Sequence, residues 1–267
     1  RWSGYLSWRK NRSRNYLPTV LDRLCDAVRA ENADQVLLTG DLAQIGLEQE
    51  IQQAAAWLSS LAPPDRLMLV PGNHDAYAEG SGALLNRAWA DYLFHGQDSG
   101  LQGFPVLRRL PGISLVGLSS ASVTPVFMAG GKLGTAQLLE LDTMLAQAAG
   151  DRQLVCLLIH HPPLPGMTSK RKALADAQEL QRVLERYPPL LIFHGHLHHN
   201  REYVWGDSKV FCTAAASSVS DASYRVLDIH EKDGAWSVQM KLKTIAIDEA
   251  GQIKFVTADK QAWEMLG

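Results

Sequence analysis

The sequence predicts an α/β fold that closes with antiparallel strands, and three observations predict it. Short apolar runs alternate with helix-period segments from Pro18 to His198. Each apolar run gives way to a small cluster of glycine and polar residues. Beyond His198 the helical period stops, and strand-like segments succeed one another with turn signals between them.

The elements follow in order. Val20, Leu21, Leu24 and Val28 recur at helical spacing behind Pro18, a residue suited to a first helical turn. Residues 35–39 read as a short buried strand that ends in Gly40-Asp41, and a second helix over 48–61 stops at Pro63-Pro64. Residues 66–70 form a strand leading into Pro71-Gly72-Asn73-His74-Asp75. The segment 76–104 reads as mostly helical, a candidate cap beside a pocket, although core packing explains its aromatic residues equally well. A strand over 113–118 precedes a loop rich in Ser, Thr, Gly and Pro, then a helix over 135–149. A strand over 153–159 ends at His160-His161-Pro162-Pro163. A helix over 173–186 leads to a strand over 190–193, which ends at His194-Gly195-His196-Leu197-His198. Strands over 202–205, 209–213, 223–230 and 235–242 complete the pattern, with a hairpin signal at Glu231-Lys232-Asp233-Gly234. With no repeats or low-complexity tracts, 1–267 reads as a single domain.

Composition narrows the function classes. The 267 residues carry 26 basic and 28 acidic side chains, a net charge of −2, which argues against a nucleic-acid-binding surface. No run approaches the ~20 apolar residues that span a bilayer. Three scattered cysteines are too few for a disulfide framework, so a reducing cytoplasm fits. Segment 1–17 is distinctive: Arg1, Arg9, Lys10, Arg12 and Arg14 interleave with Trp2, Tyr5 and Trp8. Residues 1–14 read either as a solvated loop packed onto the domain or as a surface for an anionic substrate or the inner face of a membrane.

The polar clusters carry the chemistry. Four strands deliver Asp41, Asn73 with His74, His160 with His161, and His196 with His198 to the carboxyl edge of a sheet, where α/β folds bind ligands. A carboxylate, an amide oxygen and several imidazoles suit Mn, Fe or Zn better than Ca or Mg. If residues 195–198 are extended, His196 and His198 face the same side; a tighter turn would let them serve neighbouring ions. Lys170, Arg171, Lys172 and Arg201 flank these clusters and read either as solvated charge or as contacts to an anion.

Gly40-Asp41, Gly72-Asn73-His74-Asp75, His160-His161-Pro162-Pro163 and Gly195-His196-Leu197-His198 resemble, in order, the motifs of calcineurin-like metallophosphoesterases of the class III cyclic nucleotide phosphodiesterase type. The resemblance implies a four-layer αββα sandwich with mixed sheets and two divalent metal ions. It implies hydrolysis of a phosphodiester, phosphomonoester or pyrophosphate by a metal-activated water. In that family Asp41 would bridge the ions, Asn73, His160 and His196 would complete one site, and His198 would bind the other. His74 would stabilise the transition state or protonate the leaving group, and Asp75 would orient His74 or the turn. His160, first after its strand, is favoured over His161 as ligand. The substrate would be a phosphorylated small molecule such as a cyclic nucleotide, or a UDP-sugar lipid pyrophosphate if 1–14 meets membrane. The family opens with Asp-x-His on its first strand, and none precedes Asp41 here, which leaves one metal site incomplete. The expectation is that such a strand precedes Arg1 in the full protein. The alternative is a catalytically impaired relative serving as a binding scaffold.

Overall fold

The computed structural model describes residues 15–97, 103–125 and 128–266; the basic aromatic residues of 1–14 lie outside them. The described elements are α1 (Pro18–Glu31), β1 (Val36–Leu38), α2 (Glu48–Leu61), β2 (Leu67–Leu69), α3 (Ser81–Ala88), α4 (Ala90–Leu93), β3 (Val106–Leu110), β4 (Ile113–Gly117), α5 (Thr135–Gly150), β5 (Leu154–Leu158), α6 (Ala177–Leu184), β6 (Leu190–His194), β7 (Arg201–Trp205), β8 (Ser208–Cys212), β9 (Ser223–Lys232), β10 (Ala235–Ile247) and β11 (Ile253–Leu266). None of the described helices is long and apolar enough to cross a membrane.

The strands form three sheets. One has six strands in the order β3-β4-β5-β6-β8-β7, with β4, β5, β6 and β8 parallel and both edge strands antiparallel. β1 and β2 form a parallel pair, and β9, β10 and β11 an antiparallel sheet.

Alternation along the strands assigns the layers. On β5, Leu154, Cys156 and Leu158 join a core shared with β1, β2, α2 and the C-terminal residues Trp236, Val238 and Met240. Val155 and Leu157, on the opposite face, join a second core with Leu138, Leu141 and Leu145 of α5 and Leu180 and Leu184 of α6. Two apolar faces on every central strand are what a sheet buried on both sides requires. The outcome is helices, sheet, sheets and helices: an αββα arrangement.

Several boundaries differ from the sequence reading. The helix expected over 173–186 begins at Ala177, because residues 129–131 claim the preceding backbone through Gly131 N–H to Ala173 O (3.2 Å) and Ala175 N–H to Gly131 O (2.8 Å). Among the described residues of 76–104 the helices lie within 81–93, and Trp89, Tyr92, Leu93 and Phe94 are buried in the core rather than presented to a pocket. β3 and β11 were not anticipated, the first hidden in its Arg108-Arg109 pair, the second in an edge strand whose apolar residues are broken up by Lys254, Asp259, Lys260 and Glu264. The hairpin signal holds: Asp233 and Gly234 both take positive φ (55° and 79°), the two-residue turn that joins β9 to β10.

Candidate metal centre

The loops after β1, β2, β5 and β6 meet at one edge, and backbone constraints explain how Asp41 is held there. Gly40 has φ +90°, and a Cβ on it would overlap the backbone nitrogen of Gly72; a Cβ on Gly72 would overlap Oδ1 of Asp41. Only glycine allows the two loops to touch. The buried Asp75 carboxylate ties them, accepting N–H bonds from Asp41 (2.9 Å), Gly72 (2.8 Å) and Ala43 (2.7 Å). Burial and the neighbouring Asp41 charge raise the Asp75 carboxyl to about 7, opposed by the Ala43 and Gly72 N–H donors that favour its ionised form.

Asp41 itself sits at φ 61° and accepts the His74 N–H at Oδ1 (2.9 Å). Its Oδ2 lies 3.3 Å from His160 Nε2. Burial disfavours the charged form, but the facing His160 and the His74 N–H hold Asp41 well below the usual carboxylate range.

His160 is oriented from behind. Its Nδ1 donates to Thr39 O (2.6 Å), leaving Nε2 toward Asn73 Oδ1 (3.1 Å), Asp41 Oδ2 and His196 Nδ1 (3.3 Å). Asp41, His160 and His196 each offer one ligand atom, all within 4.8 Å of one another. Burial would lower the His160 pKa, yet the Asp41 carboxylate raises it overall. Burial above all drives His196 down to about 2, so this imidazole stays neutral. Its Nε2 is buried without a hydrogen-bond partner among the described residues. Thus a carboxylate oxygen, an amide oxygen and two imidazole nitrogens converge on one point. That donor set fits a divalent cation.

The adjacent His161 points elsewhere. Ser120 Oγ lies 2.7 Å from its Nδ1, and its Nε2–H donates to Ala129 O (3.2 Å). Burial, then the His160 charge, push it down to about 3. Its ring packs on His160 and His196, with centroids 5.0 and 4.5 Å away. His194 is likewise buried, held to about 4 by that burial.

His74 and His198 stand at the rim of the same pocket, with Asp41, Asn73, His196, Ala129, Leu197 and Lys172. His74 Nδ1 donates to Gln44 O (2.6 Å), and its ring stacks on Tyr77 at 6.0 Å. The turn 195–198 is not extended: His196 and His198 adopt φ 68° and 59°, the left-handed region, and both line the pocket. Tyr16, a residue the sequence does not single out, places its hydroxyl 3.0 Å from His198 Nδ1. It is held by Leu17 N–H to Ser217 O (2.9 Å) and Val219 N–H to Asn15 O (3.0 Å). No local pattern signals this contact, because it joins residues 182 positions apart. Lys170, Arg171 and Arg201 do not line the pocket. Asp228-Ile229-His230, the only Asp-x-His of the chain, lies on β9, where Asp228 faces Lys241 (3.6 Å).

The chain is similar to known proteins in sequence and fold. The sequence profile of the calcineurin-like phosphoesterases matches residues 11–200. A 3',5'-cyclic-nucleotide phosphodiesterase of Nostoc is 28% identical over 237 residues, which cover 83% of this chain and 80% of that protein. A probable cyclic nucleotide phosphodiesterase of Rhodopseudomonas palustris is 32% identical over 69% of this chain, and the cyclic AMP phosphodiesterase CpdA of Escherichia coli 30% identical over 67%. The chain spans only 65% and 60% of these last two. A dimetal phosphatase from Danio rerio shares the fold, with a TM-score of 0.69 at 15% identity over 93% of this chain and 90% of that one. With its profile match covering most of the length, the chain belongs to the calcineurin-like phosphoesterases, a family of dinuclear metal-dependent hydrolases.

Proposed function

We propose that the protein is a metal-dependent phosphodiesterase acting on a small phosphorylated substrate, with a cyclic nucleotide as the leading candidate. The observation that carries this reading is the convergence of Asp41 Oδ2, Asn73 Oδ1, His160 Nε2 and His196 Nδ1 around one point. The relatives named above as cyclic nucleotide phosphodiesterases point to the substrate class.

In this reading Asp41, Asn73, His160 and His196 hold one divalent ion, and Asp41 and His198 contribute to a second. Mn, Fe or Zn bound there would supply Lewis-acid charge and an activated water. The chain's own groups do the rest. Thr39 fixes the tautomer that presents His160 Nε2, and Tyr16 leaves His198 Nε2 for the pocket. The bond to Gln44 keeps the His74 Nδ1 proton in place, so Nε2 is the nitrogen able to hold and release a proton toward a leaving oxygen.

The test is a screen of bis(p-nitrophenyl) phosphate, p-nitrophenyl phosphate, cyclic AMP, cyclic GMP and a UDP-sugar lipid pyrophosphate after chelator treatment and return of Mn. Turnover of a phosphodiester that needs the added metal, lost in His160→Ala, is the expected result. Absence of turnover on every ester, with Mn and then with Fe or Zn returned in its place, would overturn the proposal. His74→Ala should slow diesters with poor leaving groups by ~10²–10⁴-fold and those with good leaving groups far less.

A further inference from the structure

The pocket rim holds one cation that the ligand set does not use. Lys172 lines the cleft together with His74, Asn73 and His198, and its neighbours Lys170 and Arg171 do not. Its position is built. Arg171 O accepts the Ala129 N–H (2.9 Å), Ala173 O accepts the Gly131 N–H (3.2 Å), and Lys172 N–H itself donates to Ser169 O (2.9 Å). The backbone is therefore pinned at the lysine and on both sides of it. A Cβ on Gly130 would crowd Ala173 O, so the supporting segment fits this loop only with a glycine there.

The side chain, by contrast, is exposed, and no carboxylate lies within ion-pair distance of it among the described residues. A solvated surface lysine has no need of a backbone fixed at three successive residues. The cavity beside it has a volume of about 100 Å³, against the ~10–15 Å³ that one water requires. That leaves room for an anion between the ammonium and the ligand cluster.

Resting on the hydrolase reading above, we propose that Lys172 binds the non-bridging phosphoryl oxygens of the substrate and favours phosphates of higher negative charge. A lysine ammonium acts on phosphate as a point charge, so its attraction grows with the charge of the anion. Removing it should weaken a dianion more than a monoanion.

The test compares wild type, Lys172→Ala and Lys172→Arg, each loaded with Mn. Calorimetric titration with inorganic phosphate should show Lys172→Ala binding about tenfold more weakly, the size of one charge-assisted hydrogen bond at a partly exposed site. KM should rise more than kcat falls, by a larger factor for p-nitrophenyl phosphate than for bis(p-nitrophenyl) phosphate. Lys172→Arg should recover most of both effects, and added salt should shrink the wild-type advantage. Equal phosphate affinity in wild type and Lys172→Ala, or no phosphate binding by wild type, would overturn the inference. A wild type that binds phosphate through Lys172 but hydrolyses no ester would instead sink the hydrolase reading alone.

Discussion

Two regions use left-handed backbone, for opposite reasons. In the β9–β10 hairpin, Asp233 and Gly234 take positive φ because a two-residue turn between twisted strands needs it, and the sequence supplies the residues that tolerate it. At the metal rim, Asp41, His196 and His198 take φ of 61°, 68° and 59° although none is glycine. Such conformations cost about 1–2 kcal/mol per residue. At the hairpin the local sequence meets that demand itself; at the rim it is met by tertiary contacts that over-determine the loop, as expected where geometry serves chemistry. Asp75 with its three N–H bonds and the Gly40–Gly72 contact hold Asp41, while Gly195 N–H to His160 O (3.1 Å) and the Tyr16 contact to His198 hold the 195–198 turn.

The sharpest way to break the rim is to fill the space between its loops. Gly72→Ala places a methyl group on Asp41 Oδ1, so the carboxylate must leave its position or the loop must open. Mn affinity measured by calorimetry should fall at least ~100-fold, the upper range for disturbing the groups that orient a ligand. Retention of affinity within threefold would show that the loops are not rigid.

Asp75→Asn tests the tie itself. The amide can accept at one oxygen only, and its NH₂ would face an N–H donor that the carboxylate now satisfies. Urea unfolding should show a loss of about 1–3 kcal/mol, the cost of stranding a buried donor. With its oxygen kept on the Asp41 and Gly72 N–H groups, the amide strands only Ala43 N–H, so metal affinity should fall less than in Gly72→Ala.

The contrast also explains what could be read from sequence. Asp41, Asn73, His160 and His196 were legible because each follows an apolar strand, and parallel strands bring their carboxyl ends to one edge. The choice between His160 and His161 was not, since it depends on which ring meets Thr39 and which meets Ser120. Extended geometry at 195–198 was one reading, and the left-handed turn overturns it: β6 ends at His194, and the following residues bend around the site. In the fold, helices at 18–31 and 48–61 and the buried strands were legible from period and punctuation. β11 was not, because its apolar residues are scattered among charged ones, and its pairing with β10 and the burial of Met265 are tertiary contacts.

Tyr16 provides a smaller perturbation. Tyr16→Phe keeps the ring beside His198, removes only the hydroxyl, and frees Nδ1 to compete as the nitrogen that faces the pocket. In the proposed two-ion centre, binding of an ion at the His198 site should fall about tenfold, with the His160 site unchanged. An equal loss at both sites would mean that Tyr16 supports the loop as a whole rather than the orientation of one ring.

The hairpin supplies the smallest effect and the control for the comparison. Gly234 sits at φ 79° with open space where a Cβ would lie, so Gly234→Ala meets no clash and bears only the backbone cost. That cost is about 1 kcal/mol, read as a shift in the urea midpoint. Metal affinity should not change, because β9 and β10 lie away from the Asp41–His160–His196 cluster and the pocket includes no residue of either strand. If Gly234→Ala instead weakened Mn binding, the C-terminal sheet would be coupled to the rim. The left-handed residues at Asp41, His196 and His198 would then owe their geometry to the sheet behind them as well as to the loops around them.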